Sequence, residues 1–139
     1  MNPFGRYVQW RVRVTLVSMV AIAAVGFAFG QTAEAPPRLD GLPSEVRGFP
    51  RHGETIGAAL ACGLRSQQWA ESYRARLNTE MQRRSPSGAA DAGRVLAERE
   101  AYARRQVSRN RNEFCADAAN PTDLATGDRI VSGAERNLP

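Results

Sequence analysis

Large apolar side chains recur at every fourth position in two runs. Ile56, Leu60 and Leu64 form the first, and Trp69, Tyr73, Leu77 and Met81 form the second. A four-residue period places each run on one helix face. Between Glu54 and Arg84 there is no Pro, and Ala, Leu, Arg, Gln and Glu, all good helix formers, dominate. The pattern predicts one amphipathic helix over about 54–84, in which Gly57 and Gly63 either weaken the helix locally or permit close approach of a neighbouring helix. Ser85-Pro86-Ser87-Gly88 breaks it, because a residue before Pro disfavours the helical conformation, and Ser85 or Ser87 is placed to cap a new helix. That second helix is predicted from about Gly88 to Ala118. Val95, Leu96, Tyr102, Ala103, Val107 and Phe114 form its apolar side, and Asn120-Pro121 is its stop. The tail from Thr122 reads as a short helical turn ended by Gly127, with residues 132–139 frayed.

Upstream of the helices the pattern changes twice. Pro36, Pro37, Pro43 and Pro50, with Gly41 and Gly48, interrupt residues 31–53 so often that neither period survives. The segment reads as an extended linker or a strap lying on the body, with Leu39, Leu42, Val46 and Phe49 as its apolar handles. Before it, Val14 to Gly30 run 17 residues without a charge, behind a leader carrying Arg6, Arg11 and Arg13 and no acid. Positive start, apolar stretch and small residues at its end (Ala28-Phe29-Gly30) describe a secretory signal peptide cleaved after Gly30. The same stretch sits at the lower length limit for a retained membrane helix, with Phe4, Tyr7 and Trp10 as an interfacial belt. Both versions leave the N-terminus inside and the body outside, so residues 31–139 are expected to be periplasmic or attached to the outer face of the inner membrane.

Composition sharpens this picture. In 139 residues there are 19 basic side chains, all Arg, against 14 acids. Three of the arginines belong to the leader, so the body is close to +2, and its charge gives no ground for expecting nucleic acid as a partner. Charge is uneven within the body. Residues 65–111 carry 11 Arg against five acids, and residues 112–139 carry two against five. Leu, Ile, Val and Phe supply only 16 of the 109 residues after Gly30. So thin an apolar set calls for a cross-link, a partner or a membrane.

Cys62 and Cys115 are the only cysteines. An exported chain with two thiols most simply joins them in one disulfide. Their midpoint falls at 88.5, beside the breaker at Ser85 to Gly88, as two antiparallel helices require. The expected fold is therefore all-α: an antiparallel two-helix hairpin over 54–121 closed by one disulfide. It comes after residues 1–30 (signal peptide or single N-terminal membrane helix) and the linker 31–53, and precedes a short turn and flexible tail over 122–139.

Candidate chemistry is sparse. No C-x-x-C, phosphate-binding loop, dinucleotide fingerprint or zinc framework occurs, so no cofactor or metal and no small-molecule substrate is expected. His52, the single His, stands beside Glu54 and reads as a surface residue at helix entry. Arginine pairs at 74/76, 83/84, 104/105 and 109/111 concentrate positive charge from the middle of the arms toward the turn. On the apolar stripe Trp69 reads most simply as core; on a thin hairpin, where one side of each helix has no neighbour, Trp69, Tyr73 and Tyr102 read as interface anchors, and with the charges Arg83, Arg84, Arg104 and Arg105 they make up the candidate interface. The expected role is non-enzymatic binding or structure in the cell envelope, against another envelope protein or an anionic lipid surface. The alternative is a membrane-anchored accessory subunit of an inner-membrane complex.

Overall fold

The structure, a computed structural model, describes residues 33–135 and 138. The signal-peptide and anchor readings of residues 1–30 lie outside the described residues. Among the described residues five helices stand where the pattern predicted two, with no strands: α1 (His52–Ala61), α2 (Gln67–Arg84), α3 (Ala89–Arg109), α4 (Arg111–Ala118) and α5 (Pro121–Ser132). None of them is long and apolar enough to cross a membrane.

The helix expected over 54–84 is split in two, and Gly63 is the reason. Its φ of +71° is the left-handed conformation that ends a helix. Leu64 N–H donates to the Ala59 carbonyl at 2.8 Å, and Gly63 N–H donates to the Leu60 carbonyl at 3.1 Å. These two bonds form a Schellman closure. Ser66 then starts α2, its hydroxyl accepting from Trp69 N–H at 3.1 Å. The second long helix divides as well. At Asn110 the backbone turns out of the helix (φ −146°, ψ 78°), separating α3 from α4. Asn120 and Pro121 open α5 rather than stop the helix before it: Asn120 Oδ1 accepts from Thr122 N–H at 3.0 Å, and Pro121 occupies the first turn.

These breaks rearrange the packing. α1 packs most extensively on α3. A Cβ on Gly53 would lie 2.3 Å from the Leu96 carbonyl oxygen, and one on Gly57 would lie 2.3 Å from that of Glu100. The contact moves forward along both helices together, so α1 and α3 run parallel where they touch, backbone against backbone. α2 and α3 run antiparallel around the Ser85–Gly88 turn, with Arg74 bonded to Glu100 and Asn78 facing Gly93. The disulfide is present, with Cα atoms 5.6 Å apart. It joins the end of α1 to α4, so it arises from the parallel α1–α3 contact rather than from the antiparallel register that suggested it.

The core is built from few large side chains and many small ones. Trp69, Ala70, Tyr73, Leu77 and Met81 on α2 are buried against Ile56 and Ala59 of α1 and Ala89, Ala92, Val95 and Leu96 of α3. The Pro-rich segment takes the form of a strap: Leu42, Val46 and Phe49 are buried, and Pro43 lies against Gly88 of the turn. The tail differs from its expected form. α5 continues through Gly127 and ends at Gly133 (φ +75°), and Leu138 is buried in the core. Gly127 is a packing residue, because a Cβ there would meet the Trp69 ring at 2.6 Å and the Tyr73 ring at 2.9 Å.

Candidate interaction surface

Of the two readings of the rings, core or interface anchor, burial decides for core at Trp69 and Tyr73. Tyr73 is completely buried and Trp69 is 9% exposed, so neither is available to a partner. α5, absent from the two-helix picture, covers them. Trp69 Nε1 donates to Asp128 Oδ1 at 2.9 Å. Arg65 grips the same carboxylate from both nitrogens, Nε to Oδ1 at 2.9 Å and Nη2 to Oδ2 at 2.7 Å. Bonds from Arg65 and Trp69 hold the Asp128 carboxyl below its usual range. Asp128 thereby ties the α1–α2 loop, α2 and α5 together. Tyr102 stands apart on α3, half-buried.

Tyr73 carries a second polar link. Its hydroxyl lies 2.8 Å from His52 Nδ1. Burial pushes the phenol pKa up, so it stays protonated, and burial pulls the imidazole down against the weaker opposing pull of Asp123. The Tyr73 hydroxyl and the neutral His52 ring share this one hydrogen bond. His52 is thus a half-buried partner of the core rather than the surface residue expected from sequence.

This pair makes stability depend on pH with a definite sign. A His whose folded pKa lies below its unfolded 6.5 takes up its proton first in the unfolded chain. Its contribution is fully present above pH 6.5 and is lost as pH falls through that value toward the folded pKa. We expect the unfolding free energy to decrease as pH falls below about 6.5, with a slope of at most ~1.4 kcal/mol per pH unit from this one proton. His52→Gln should lack that slope in urea titrations. A second decline belongs to carboxylates at lower pH. Glu80 is held down to about 2 by bonds from Arg83 and Arg84, so its contribution is lost only below its ordinary range.

The arginines divide by what they hold. Arg84 bonds Glu80 at 2.8 Å and the Leu138 carbonyl, and its guanidinium covers the Phe49 ring at 5.1 Å. Arg83 shares Glu80. The turn is therefore partly neutralised and does not form the strongly basic tip expected. Arg74 grips Glu100 with Nε at 2.8 Å and Nη2 at 2.7 Å, and Arg104 bonds the same carboxylate. Glu100 is only 7% exposed. An exposed Glu–Arg pair at this spacing is worth ~0.3–0.5 kcal/mol, whereas charged hydrogen bonds in a buried setting are worth ~1.5–3. Glu100→Gln should accordingly lower the unfolding free energy by about 1–3 kcal/mol in urea denaturation. A loss below about 0.5 would mean the site behaves as open surface.

The exposed charge lies further along the chain. Residues 104–111, Arg-Arg-Gln-Val-Ser-Arg-Asn-Arg, contain four arginines and no acid. Arg104, Arg105, Arg109 and Arg111 are all exposed, and they straddle the α3–α4 break. Sequence reasoning named all four among its arginine pairs but placed only Arg104 and Arg105 in the candidate interface. The unbroken absence of acids over residues 104–111 is the signal that joins Arg109 and Arg111 to them.

Comparison with family models, curated proteins and solved structures gives no match.

Function must therefore be read from the residues alone. The disulfide fits an oxidising, exported compartment. Among the described residues no group of three or more His, Cys, Asp or Glu is arranged to hold a metal ion. The imidazole is engaged with Tyr73, and the carboxylates of Glu80, Glu100 and Asp128 are each held by guanidinium groups. His52, Glu100 and Asp128 brace helices against one another, while Glu80 ties side chains within the end of α2. The surface they leave is a basic edge on α3 and α4.

Proposed function

We propose that this chain is a small exported cell-envelope protein with a non-enzymatic binding or structural role, working through contact with an envelope protein or an anionic membrane surface. The observation that carries the reading is the Cys62–Cys115 bond. α4 has no buried residue, so its attachment to α1 depends on a cross-link that only an oxidising compartment maintains. The leader pattern in residues 1–30 supports the same destination. The engagement of His52 and of the buried carboxylates in structural bonds supports a scaffold in preference to a catalyst. The test is fractionation of cells expressing the untagged chain. Recovery with the envelope or periplasm supports the proposal, and recovery with cytoplasmic protein overturns it.

The second reading, a membrane-anchored accessory subunit, has one observation in its favour: the uncharged run from Val14 to Gly30, which stands at the lower length limit for a membrane helix. Intact mass of the native protein separates the two. A mass beginning at Gln31 supports the released form, and an unprocessed mass supports the anchored one.

A further inference from the structure

We propose that the Cys62–Cys115 bond is a site of thiol–disulfide exchange, attacked at the Cys62 sulfur by a dithiol protein, and that its opening releases α4 while the rest of the body stays folded. This goes beyond the non-enzymatic reading above by giving the bond a chemistry and its partner a class. It rests on the exported reading only for where that partner is met.

The first argument is how little else holds α4. None of its residues is buried. Among the described residues, no side chain of Arg111–Ala118 forms a hydrogen bond or ion pair with another helix, and the bond between Asn110 and Glu113 is local to its start. An isolated helix shorter than about 12–15 residues is marginal in water, and α4 has eight. Its neighbours are fixed independently. Ala103 and Val107 bury the end of α3. Leu124, Ile130 and the Asp128 bonds to Arg65 and Trp69 hold α5. Opening the disulfide therefore frees a short segment between two anchored ends, and its two sulfurs stay within reach of each other.

The second argument is the setting of the two sulfurs. Both cysteines are half-buried and stand outside the core cluster. Gly63, next to Cys62, is exposed, and a Cβ built on it would meet nothing within 4 Å apart from its chain neighbours. That leaves open space beside Cys62. Electrostatics favours the same sulfur. Exchange is faster when the departing sulfur is the more stable thiolate. Cys62 caps the C-terminal end of α1, where the helix dipole opposes negative charge. Cys115 follows Arg111 by one helical turn, and a neighbouring cation stabilises a thiolate. The acids of α4, Glu113 and Asp117, lie two residues to either side of Cys115 and so do not face it.

The step balances as follows. A thiolate of the partner attacks Cys62 Sγ, the S–S bond breaks, and its electron pair leaves on Cys115 Sγ. The partner's second thiolate attacks its own sulfur in the mixed disulfide and expels Cys62. The partner ends as a disulfide, and this chain ends as two thiols that take up the two protons the dithiol gave up.

The experiment is cleavage of the oxidised full chain by sulfite without denaturant, quenched in acid and mapped by mass spectrometry. Sulfite opens a disulfide by the same displacement, and its sulfonate stays on the sulfur attacked. The proposal predicts about fivefold or more sulfonate on Cys62 relative to Cys115, faster amide exchange confined to residues 110–120, and continued protection of the α2 amides. Arg111→Ala should slow cleavage by about threefold or more, and Arg111→Lys should restore it. Sulfonate divided equally, or mainly on Cys115, overturns the proposal. So do equal cleavage rates in Arg111→Ala and the unchanged protein. Cleavage that needs denaturant, or a cleaved chain unfolded throughout, overturns it in favour of a purely structural staple. None of these outcomes moves the chain between compartments, so fractionation tests the exported reading separately.

Discussion

Replacing Cys62 and Cys115 with serine should lower the melting temperature of the protein by about 15–20 °C. The bond closes a loop of 54 residues counted from one cysteine to the other. The chain-entropy model, which is itself disputed, assigns such a loop about 4 kcal/mol. For a body of roughly 100 residues, one kcal/mol corresponds to about 4 °C or slightly more. Against a typical total of ~5–15 kcal/mol this is a large share. The loss should also have a location. α4 has no buried residue, so without the bond little apolar contact holds it to α1. Amide exchange across Arg111–Ala118 should accelerate far more than exchange in the buried stretch of α2. Reduction of the unmutated protein should reproduce both effects. Coincident melting curves with and without reductant would show that the bond is ornamental to the fold.

Gly57→Ala should destabilise the protein by about 3 kcal/mol or more, against the direction that helix propensity alone gives. In a helix interior, Ala is favoured over Gly by about 1 kcal/mol. At this position, however, the new methyl would lie 2.3 Å from the Glu100 carbonyl oxygen, 3.0 Å from its carbonyl carbon and 3.1 Å from Ala103 Cβ. Two of these atoms are backbone, so no rotamer change relieves the clash and the helices must separate. Overpacking in a close-packed interior typically costs about 1–3 kcal/mol, more where the backbone has to move. Displacement of α3 also disturbs Glu100, which anchors Arg74 and Arg104. Gly93 is the control. A Cβ there would meet nothing nearer than Asn78 Oδ1 at 3.8 Å, so Gly93→Ala should be neutral or stabilising by up to ~1 kcal/mol. Urea denaturation of the two variants side by side gives opposite signs if the α1–α3 contact is as described.

The helix content and the central stripe were legible because they depend on local periodicity. Trp69, Tyr73, Leu77 and Met81 line one face of α2 and are buried. Val95, Leu96, Ala103 and Val107 do the same on α3. The disulfide partners were legible from the cysteine count. The arrangement of the helices was not, because it turns on residues with little hydrophobic signal. Gly53 and Gly57 make the α1–α3 contact through their missing side chains, and Gly127 does the same beneath Trp69 and Tyr73. Gly57 and Gly63 read as local weaknesses or as points where a neighbouring helix comes close; the second reading holds at Gly57, whereas Gly63, two residues before a polar Arg-Ser pair, has the pattern of a helix end with a new cap close behind it. The thin count of large apolar residues pointed to a cross-link, a partner or a membrane; the cross-link is present, and part of the deficit is met by the buried small residues Ala59, Ala70 and Ala92. Asp128 gave no advance sign of its role, since its partners Arg65 and Trp69 lie 63 and 59 residues away. On the surface the misjudgement was geometric. Arg83 and Arg84 share Glu80 within a turn of helix, whereas the arginines from Arg104 to Arg111 have no acid among them.

The most direct test of an oxidised, exported body is a thiol count on the untagged chain isolated from the envelope, alkylated under denaturing conditions before and after reduction. No alkylated cysteine before reduction and two after it is the expected outcome. Two alkylated cysteines without reductant, in protein recovered from its native compartment, would contradict the account.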